Sequence, residues 1–297
     1  AILFSCNSFG KDKPIGEIPF TINEKGLMQI ELFINKKKVS KFILDTGASS
    51  TVIDDDTAQE MNLNLQEGTF KSTWANSVTN DGRKTDKQQI TITEKVQLKG
   101  IELNVRDLSH LGDMNGIIGF DLFRKFVSHI NFDSQKIMFY EQKGRPDTKG
   151  YQAIKFTESF CTPEVKVTFS LENGEAFSGK AFFDTGNTAY PLIINATYQR
   201  KNGLPSKFKS LSRSGSKNHS KVQMDVGTIQ LLTLGKFELG EMPTALSNTE
   251  TGVLSWEGYL GLIGLEYISK FNVIIDYHRK KLFLKPNNSF SEAFTFP

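Results

Sequence analysis

The sequence Phe-Ile-Leu-Asp-Thr-Gly-Ala-Ser at residues 42–49 recurs in altered form as Ala-Phe-Phe-Asp-Thr-Gly-Asn-Thr at residues 181–188. Each copy is an apolar run that ends in Asp-Thr-Gly. The glycine suits a sharp backbone turn because it has no Cβ. One such tripeptide is common by chance, but two in matching surroundings predict a duplicated chain. Each half would present one aspartate, Asp45 and Asp184.

Further pairs of segments follow the two motifs in the same order, as an internal repeat requires. They are the helix-like runs 57–63 and 197–204, the apolar segments 96–103 and 232–239, and the tripeptides Ile-Ile-Gly at 117–119 and Leu-Ile-Gly at 262–264. Helices are also expected at 120–126 and 265–271, where apolar residues recur every three or four positions. The 24 phenylalanines and the strand-like patterns favour a mainly β core.

Each half resembles a retropepsin-type aspartic protease domain, in which a strand, Asp-Thr-Gly, a flap and an apolar-apolar-Gly tripeptide come in this order. Over residues 14–286 the chain is similar to a bacterial, single-chain tandem form with pepsin-like symmetry. The resemblance implies a mainly all-β fold of two pseudo-symmetric lobes with a cleft between them. The expected segments are an N-terminal lobe at 14–141, a linker at 142–152, a C-terminal lobe at 153–286 and a tail at 287–297.

The resemblance makes Asp45 and Asp184 the expected catalytic residues. Two carboxylates about 3 Å apart cannot both ionise, so such a pair holds a single proton. The ionised member activates a water, and the protonated member donates a hydrogen bond to the peptide carbonyl. We therefore expect an aspartic endopeptidase that acts on polypeptides without a metal or other cofactor. Since one chain supplies both aspartates, we expect a monomer.

The residues that follow each aspartate are expected to support the pair. They are Thr46, Gly47 and Ala48 in the first loop, and Thr185, Gly186 and Asn187 in the second. By resemblance, the two threonine hydroxyls cross between the lobes and bond the opposite strand. The simpler alternative is that each threonine is only a good strand former.

The position after Asp-Thr-Gly differs between the halves. Ala48 offers no hydroxyl to an ionised Asp45, so we expect the pair to keep its proton to higher pH. Asn187 has an amide hydrogen to donate, which would act in the opposite direction.

A protease of this class needs flaps that close over the peptide. The expected flaps are residues 71–82 and 211–220, with Trp74, Ala75, Asn76, Ser214 and Gly215 as candidate substrate-binding residues. A tryptophan on the rim without a binding role is an equal alternative for Trp74. The second segment is rich in serine, glycine and lysine, so a plain mobile loop is an equal alternative there.

The N-terminal residues 2–6, Ile-Leu-Phe-Ser-Cys, resemble the end of a signal peptide followed by a bacterial lipobox. In such signals the cysteine becomes the first mature residue and carries lipid. We expect a lipid on Cys6, a lipobox remnant and tether at 1–13, and a lipoprotein on the membrane of the bacterial cell envelope. An ordinary apolar terminus is the alternative. Cys161 is expected to be a small buried apolar residue.

Other classes of function lack support in the sequence. The net charge of +3 and the absence of an arginine-rich stretch argue against nucleic acid as a partner. No metal-ligand motif, phosphate-binding glycine loop or nucleophile elbow is present. Two alternatives keep the same fold without catalysis. One is a silent peptide-binding envelope lipoprotein, and the other is a structural envelope protein with a degenerate cleft.

Overall fold

The computed structural model describes residues 12–73, 78–208, 212–214 and 224–296. These residues form many short strands and four α-helices. In chain order the strands are β1 (Gly16–Pro19), β2 (Thr21–Ile22), β3 (Met28–Ile34), β4 (Lys37–Leu44), β5 (Val52–Asp54), β6 (Phe70–Thr73), β7 (Val78–Thr91), β8 (Gln97–Arg106), β9 (Gly116–Ile118), β10 (Val127–Asn131), β11 (Lys136–Tyr140), β12 (Gln152–Lys155), β13 (Thr157–Ser159), β14 (Thr162–Ser170), β15 (Ala176–Phe183), β16 (Leu192–Ile194), β17 (Ser212–Ser214), β18 (Met224–Leu234), β19 (Phe237–Ser247), β20 (Gly261–Ile263), β21 (Phe271–Asp276) and β22 (Lys281–Pro286). The helices are α1 (Asp55–Glu60), α2 (Phe120–Phe123), α3 (Ala196–Asn202) and α4 (Leu265–Ile268).

Two eight-stranded sheets have the same strand order. The first runs β2-β3-β4-β9-β5-β8-β7-β6, and the second runs β13-β14-β15-β20-β16-β19-β18-β17. In both sheets the strand that leads to Asp-Thr-Gly pairs in parallel with the strand of the apolar-apolar-Gly tripeptide. The duplication predicted from the sequence is therefore a duplication of topology, and the mainly β fold of two lobes is confirmed.

A six-stranded sheet joins the two halves. Its order is β1-β11-β10-β21-β22-β12, so three strands from one half lie beside three from the other. The halves meet where β10 pairs antiparallel with β21, and His129 lies opposite Ile274. Backbone hydrogen bonds between β10 and β21 thus join the two halves.

Strand β3 illustrates how the pattern of the sequence forms the core. Met28, Ile30, Leu32 and Ile34 are buried, while the residues between them are less buried or exposed. Such alternation places every second side chain on one face of a strand. The central strands β4 and β15 instead end in three consecutive buried residues because both of their faces are covered.

Two expectations about local structure were wrong. Helices α2 and α4 stop at Phe123 and Ile268, short of the expected 126 and 271, because strands β10 and β21 begin at Val127 and Phe271. Segment 96–103 also does not match 232–239. The first lies mostly within strand β8, whereas the second spans the turn between β18 and β19. Gly100 and Gly235 both have positive φ, at 70° and 64°, which explains why the two sequences look alike.

The expected linker and tail are both attached to the folded body. Residues 141–151 connect β11 with β12, and the Arg279 guanidinium donates to the carbonyls of Lys143 and Gly144. In the C-terminal segment, the Phe294 ring stacks on Tyr267 and is buried. Residues 287–296 therefore form a packed extension of the second lobe.

Candidate active site

Asp45 and Asp184 lie directly after the buried strands β4 and β15. The backbone N–H of Asp45 donates to the carbonyl of Ile118 at 3.0 Å, and that of Asp184 donates to Ile263 at 3.0 Å. The apolar-apolar-Gly strands therefore position the backbone of each aspartate at the end of its strand.

The glycines that end these tripeptides are required by close packing. A Cβ on Gly119 would lie 2.4 Å from the carbonyl oxygen of Ala48, and one on Gly264 would lie 2.3 Å from that of Tyr190. Neither distance is compatible with a side chain. In each half, the apolar-apolar-Gly tripeptide is therefore in direct backbone contact with the segment that follows Asp-Thr-Gly.

The two Asp-Thr-Gly loops are locked together by the threonines. The Thr46 hydroxyl donates to the carbonyl of Phe183 at 2.6 Å and accepts from the Thr185 N–H at 3.0 Å. The Thr185 hydroxyl donates to the carbonyl of Leu44 at 3.0 Å and accepts from the Thr46 N–H at 3.0 Å. Both side chains are fully buried. The predicted crossing of hydroxyls between the lobes is confirmed.

The lock brings the two aspartates together, because each carboxyl lies against the glycine of the opposite Asp-Thr-Gly loop, and the two carboxyls interact electrostatically. Each keeps a small face open to solvent, but protein atoms otherwise surround it. Burial raises the pKa of both carboxyls, and the charge of Asp45 raises the pKa of Asp184 further. The arrangement favours one shared proton over two ionised groups.

The adjacent glycines serve the pair in a way that the sequence did not reveal. A Cβ on Gly47 would lie 2.6 Å from the Oδ1 of Asp184, and one on Gly186 would lie 2.4 Å from the Cγ of Asp45. Each glycine backbone N–H also donates to Oδ1 of the aspartate in its own loop, at 2.7 and 2.9 Å. Only a residue without a side chain lets the opposite carboxyl approach this closely.

Comparisons with known proteins agree with this geometry. Residues 30–125, which include Asp45, match the family described as "gag-polyprotein putative aspartyl protease". The solved structure of an aspartic proteinase from Irpex lacteus is similar over 93% of this chain and 98% of that one, with a TM-score of 0.57 and 15% identity. The chain has the retropepsin- and pepsin-like aspartic protease fold. A search of curated protein sequences found no match.

Within this aspartic protease fold, Asn187 does not act as its sequence suggested. Its side-chain amide donates to the carbonyl of Tyr190 at 3.3 Å, and its side-chain oxygen accepts from the N–H of Ala189 at 3.1 Å. The backbone N–H of Asn187, not its side chain, lowers the pKa of Asp184. The expectation of a side-chain hydrogen bond to the pair was wrong, because the amide closes the turn behind it.

Of the expected flap segments, the structure describes residues 71–73 and 78–82, which belong to β6 and β7, and residues 212–214, which form β17. Strand β6 pairs with β7, and β17 pairs with β18. The candidates Trp74, Ala75, Asn76 and Gly215 lie outside the described residues, as does the side chain of Ser214. Their role in substrate binding stays a prediction.

Two other expectations concern cysteines and metals. Cys161 is half-buried in a hairpin turn, so it is not the core residue that was expected. Cys6 lies outside the described residues. Within the described ranges, no group of three or more His, Cys, Asp or Glu side chains could hold a metal ion. In the same ranges, no helix has the length and apolar character to span a membrane.

Proposed function

We propose that the protein is an aspartic endopeptidase that hydrolyses peptide bonds with a water activated by Asp45 and Asp184. The observation that supports this most strongly is the contact between two carboxyls of raised pKa, supplied by matching loops. Strongly perturbed carboxyls held together in a cleft are typical of acid–base catalysis. The buried threonine lock keeps them in register without a ligand.

The reaction follows from the single shared proton. The ionised carboxyl accepts a proton from a water that contacts both groups, while the protonated carboxyl donates a hydrogen bond to the peptide carbonyl. Attack by the water gives a tetrahedral diol. The proton is then passed to the leaving nitrogen, and the bond to carbon breaks. The two carboxyls titrate as one unit during this cycle.

The turn formed by Asn187 favours catalysis over a silent peptide-binding role. Its amide is engaged by Tyr190 and Ala189, so it leaves the acceptor atoms of Asp184 to the pair and to substrate. In the second loop, as in the first, the side chain that follows Asp-Thr-Gly therefore leaves the carboxyl oxygens of the aspartate available.

The test is cleavage of a peptide library, with and without an inhibitor whose hydroxyl replaces the tetrahedral diol. We expect cleavage products that disappear with the inhibitor and with Asp184→Asn. A protein that binds library peptides at micromolar concentrations and cleaves none would instead be the silent peptide binder. Cleavage that survives in Asp184→Asn would place the active site elsewhere.

We further propose that a monomer acts on the bacterial envelope, held to the membrane by a lipid on Cys6. The support is the sequence of residues 2–6 alone. Expression of the precursor in a bacterium, followed by detergent phase separation, tests it. The native form should enter the detergent phase and Cys6→Ser should not. Equal partitioning of the two forms would contradict lipidation.

A further inference from the structure

The turn between β13 and β14 has an unusual sequence for its shape. Ser159 pairs with Thr162, so Phe160 and Cys161 form a two-residue hairpin turn. Their φ angles are 51° and 67°. Such a turn requires positive φ at both positions and usually contains Asn-Gly. A phenylalanine held in this region of backbone space is strained, and strain of this kind gathers at functional sites.

The Phe160 side chain is also the most exposed large apolar group in the described part of the chain, at 64%. Its ring lies 4.3 Å from that of Trp256, measured between centroids, with the planes tilted by 45°. Folding does not hide this ring in the core. The two rings form an aromatic pair that is open to solvent.

Two hydrogen bonds hold the same turn close to the Asp-Thr-Gly loop of Asp45. The Thr162 hydroxyl donates to the carbonyl of Gly47 at 3.4 Å, and the Tyr277 hydroxyl donates to the carbonyl of Cys161 at 2.9 Å. Gly47 packs directly against the carboxyl of Asp184. Phe160 therefore stands two residues from a contact with the loop that carries Asp45.

The first lobe has a matching turn with different side chains. Its residues 23–27 join β2 to β3 and approach the opposite catalytic loop, where a Cβ on Gly26 would lie 3.6 Å from Thr188. Here Lys25 lies over Gly112, whose added Cβ would be 2.9 Å from the Nζ atom. Gly112 and Trp256 each follow a short 3-10 helix. A lysine over a glycine thus replaces the aromatic pair.

Building on the proposed peptide cleft, we propose that Phe160 and Trp256 form a subsite for an aromatic side chain on one side of the scissile bond only. An aromatic substrate side chain can pack against the exposed ring faces and edges, a contact worth more than its buried area alone. The matching turn at residues 23–27 carries Lys25 and no aromatic side chain. The cleft is therefore directional, and a peptide and its reversed sequence are not equivalent.

The experiment uses two fluorescent peptides of equal composition, one with its single tryptophan near the N-terminal end and one with the sequence reversed. Their affinities are measured by anisotropy with the Asp184→Asn chain, so binding is separate from cleavage. We expect one orientation to bind about tenfold more tightly, the upper range of an aromatic pair. Adding Phe160→Asn should abolish the difference, because asparagine accepts the turn and lacks the ring. Phe160→Tyr should retain it.

Phe33→Ala is the matched control, since Phe33 is an exposed phenylalanine on β3 at 39%. It should leave the preference unchanged. Equal binding of the two peptides, or a preference that persists in Phe160→Asn, would overturn the subsite. A clear preference in a chain whose wild type cleaves nothing would instead contradict only the proposed catalysis.

Discussion

The two Asp-Thr-Gly loops and the strands that support them, here called the floor of the cleft, have nearly the same structure in both lobes. In the turns beside this floor, the side chains of the two lobes differ in size and charge. The threonine bonds, the glycine contacts and the strand pairings recur in both lobes with distances that differ by a few tenths of an ångström. The turn tips instead carry Phe160 in one lobe and Lys25 in the other. The proposed reaction uses the two carboxyls as a pair, so it requires a symmetric arrangement around them. A peptide has a direction, so the groups that contact its side chains need not be symmetric.

The largest expected effect comes from replacing either aspartate of the symmetric pair. Asp45→Asn and Asp184→Asn should each lower kcat/KM by at least about 10³-fold, because either change removes the shared proton while keeping side-chain size. Both variants should stay folded, and near neutral pH they should be at least as stable as wild type. A carboxyl whose native pKa is raised destabilises the fold as pH rises through that pKa. One variant keeping near wild-type activity would contradict the equivalence.

The two threonines of the lock should contribute about equally to the free energy of unfolding. Thr46→Val and Thr185→Val should each cost about 2–4 kcal/mol of unfolding free energy, since each leaves a buried carbonyl and a buried N–H without a partner. Urea unfolding measures this. Thr244→Val is the control, because its buried hydroxyl makes one local bond to Met242 at 3.4 Å. A cost for Thr46→Val no greater than that of the control would show that the lock contributes little.

The six-stranded sheet contains an asymmetric pair at the boundary between the lobes. His129 lies opposite Ile274 and its Nε2 hydrogen-bonds the Tyr151 hydroxyl at 2.7 Å. Burial, assisted by the charge of Lys285, lowers the pKa of His129 to about 4 from 6.5. As the pH falls, His129 therefore binds a proton in the unfolded chain at a higher pH than in the folded chain. The contribution of His129 to stability should fall by about 3 kcal/mol as pH decreases from about 6.5 to about 4.

Replacing His129 with isoleucine makes this position match the other lobe. His129→Ile should remove the acid-dependent loss when unfolding is compared at about pH 7 and pH 4. His278→Gln, at an exposed histidine, is the control and should behave like wild type. An identical loss in His129→Ile and wild type would assign the acid sensitivity to other groups.

The smallest expected effect concerns the residue after each Asp-Thr-Gly. Ala48→Ser should move the acid limb of the kcat/KM profile down by about one pH unit, because a hydroxyl stabilises the ionised carboxyl. Asn187→Ala should leave this limb in place, since its amide bonds the turn. An acid limb that is unchanged or higher in Ala48→Ser would contradict the assigned role of position 48.

Much of the floor was predictable because its constraints are local and repeated. Two copies of Asp-Thr-Gly and two apolar-apolar-Gly tripeptides led to the duplication of the chain and to the pairing of Asp45 with Asp184. The crossing of Thr46 and Thr185 followed from the family resemblance. Because each motif occurs twice in the same order, the prediction of two paired aspartates was specific.

The asymmetric features were not predictable for physical reasons. A positive φ at Phe160 is set by the hairpin register, and no turn-forming residue signals it there. The partners of the Asn187 amide depend on a turn of a few residues that pattern rules do not resolve. Positive-φ glycines at 100 and 235 look alike in sequence but occupy a strand and a turn.

The most direct test of the proposed mechanism is the pH profile of kcat/KM for the wild-type chain on a peptide that it cleaves. We expect a bell shape with its maximum under mildly acidic conditions, because only the singly protonated pair is active and burial raises the pKa of both carboxyls. The rate should fall on both sides as the pair gains its second proton or loses its first. A rate that keeps rising from about pH 5 to pH 8 would contradict the shared proton and point to a different catalytic base.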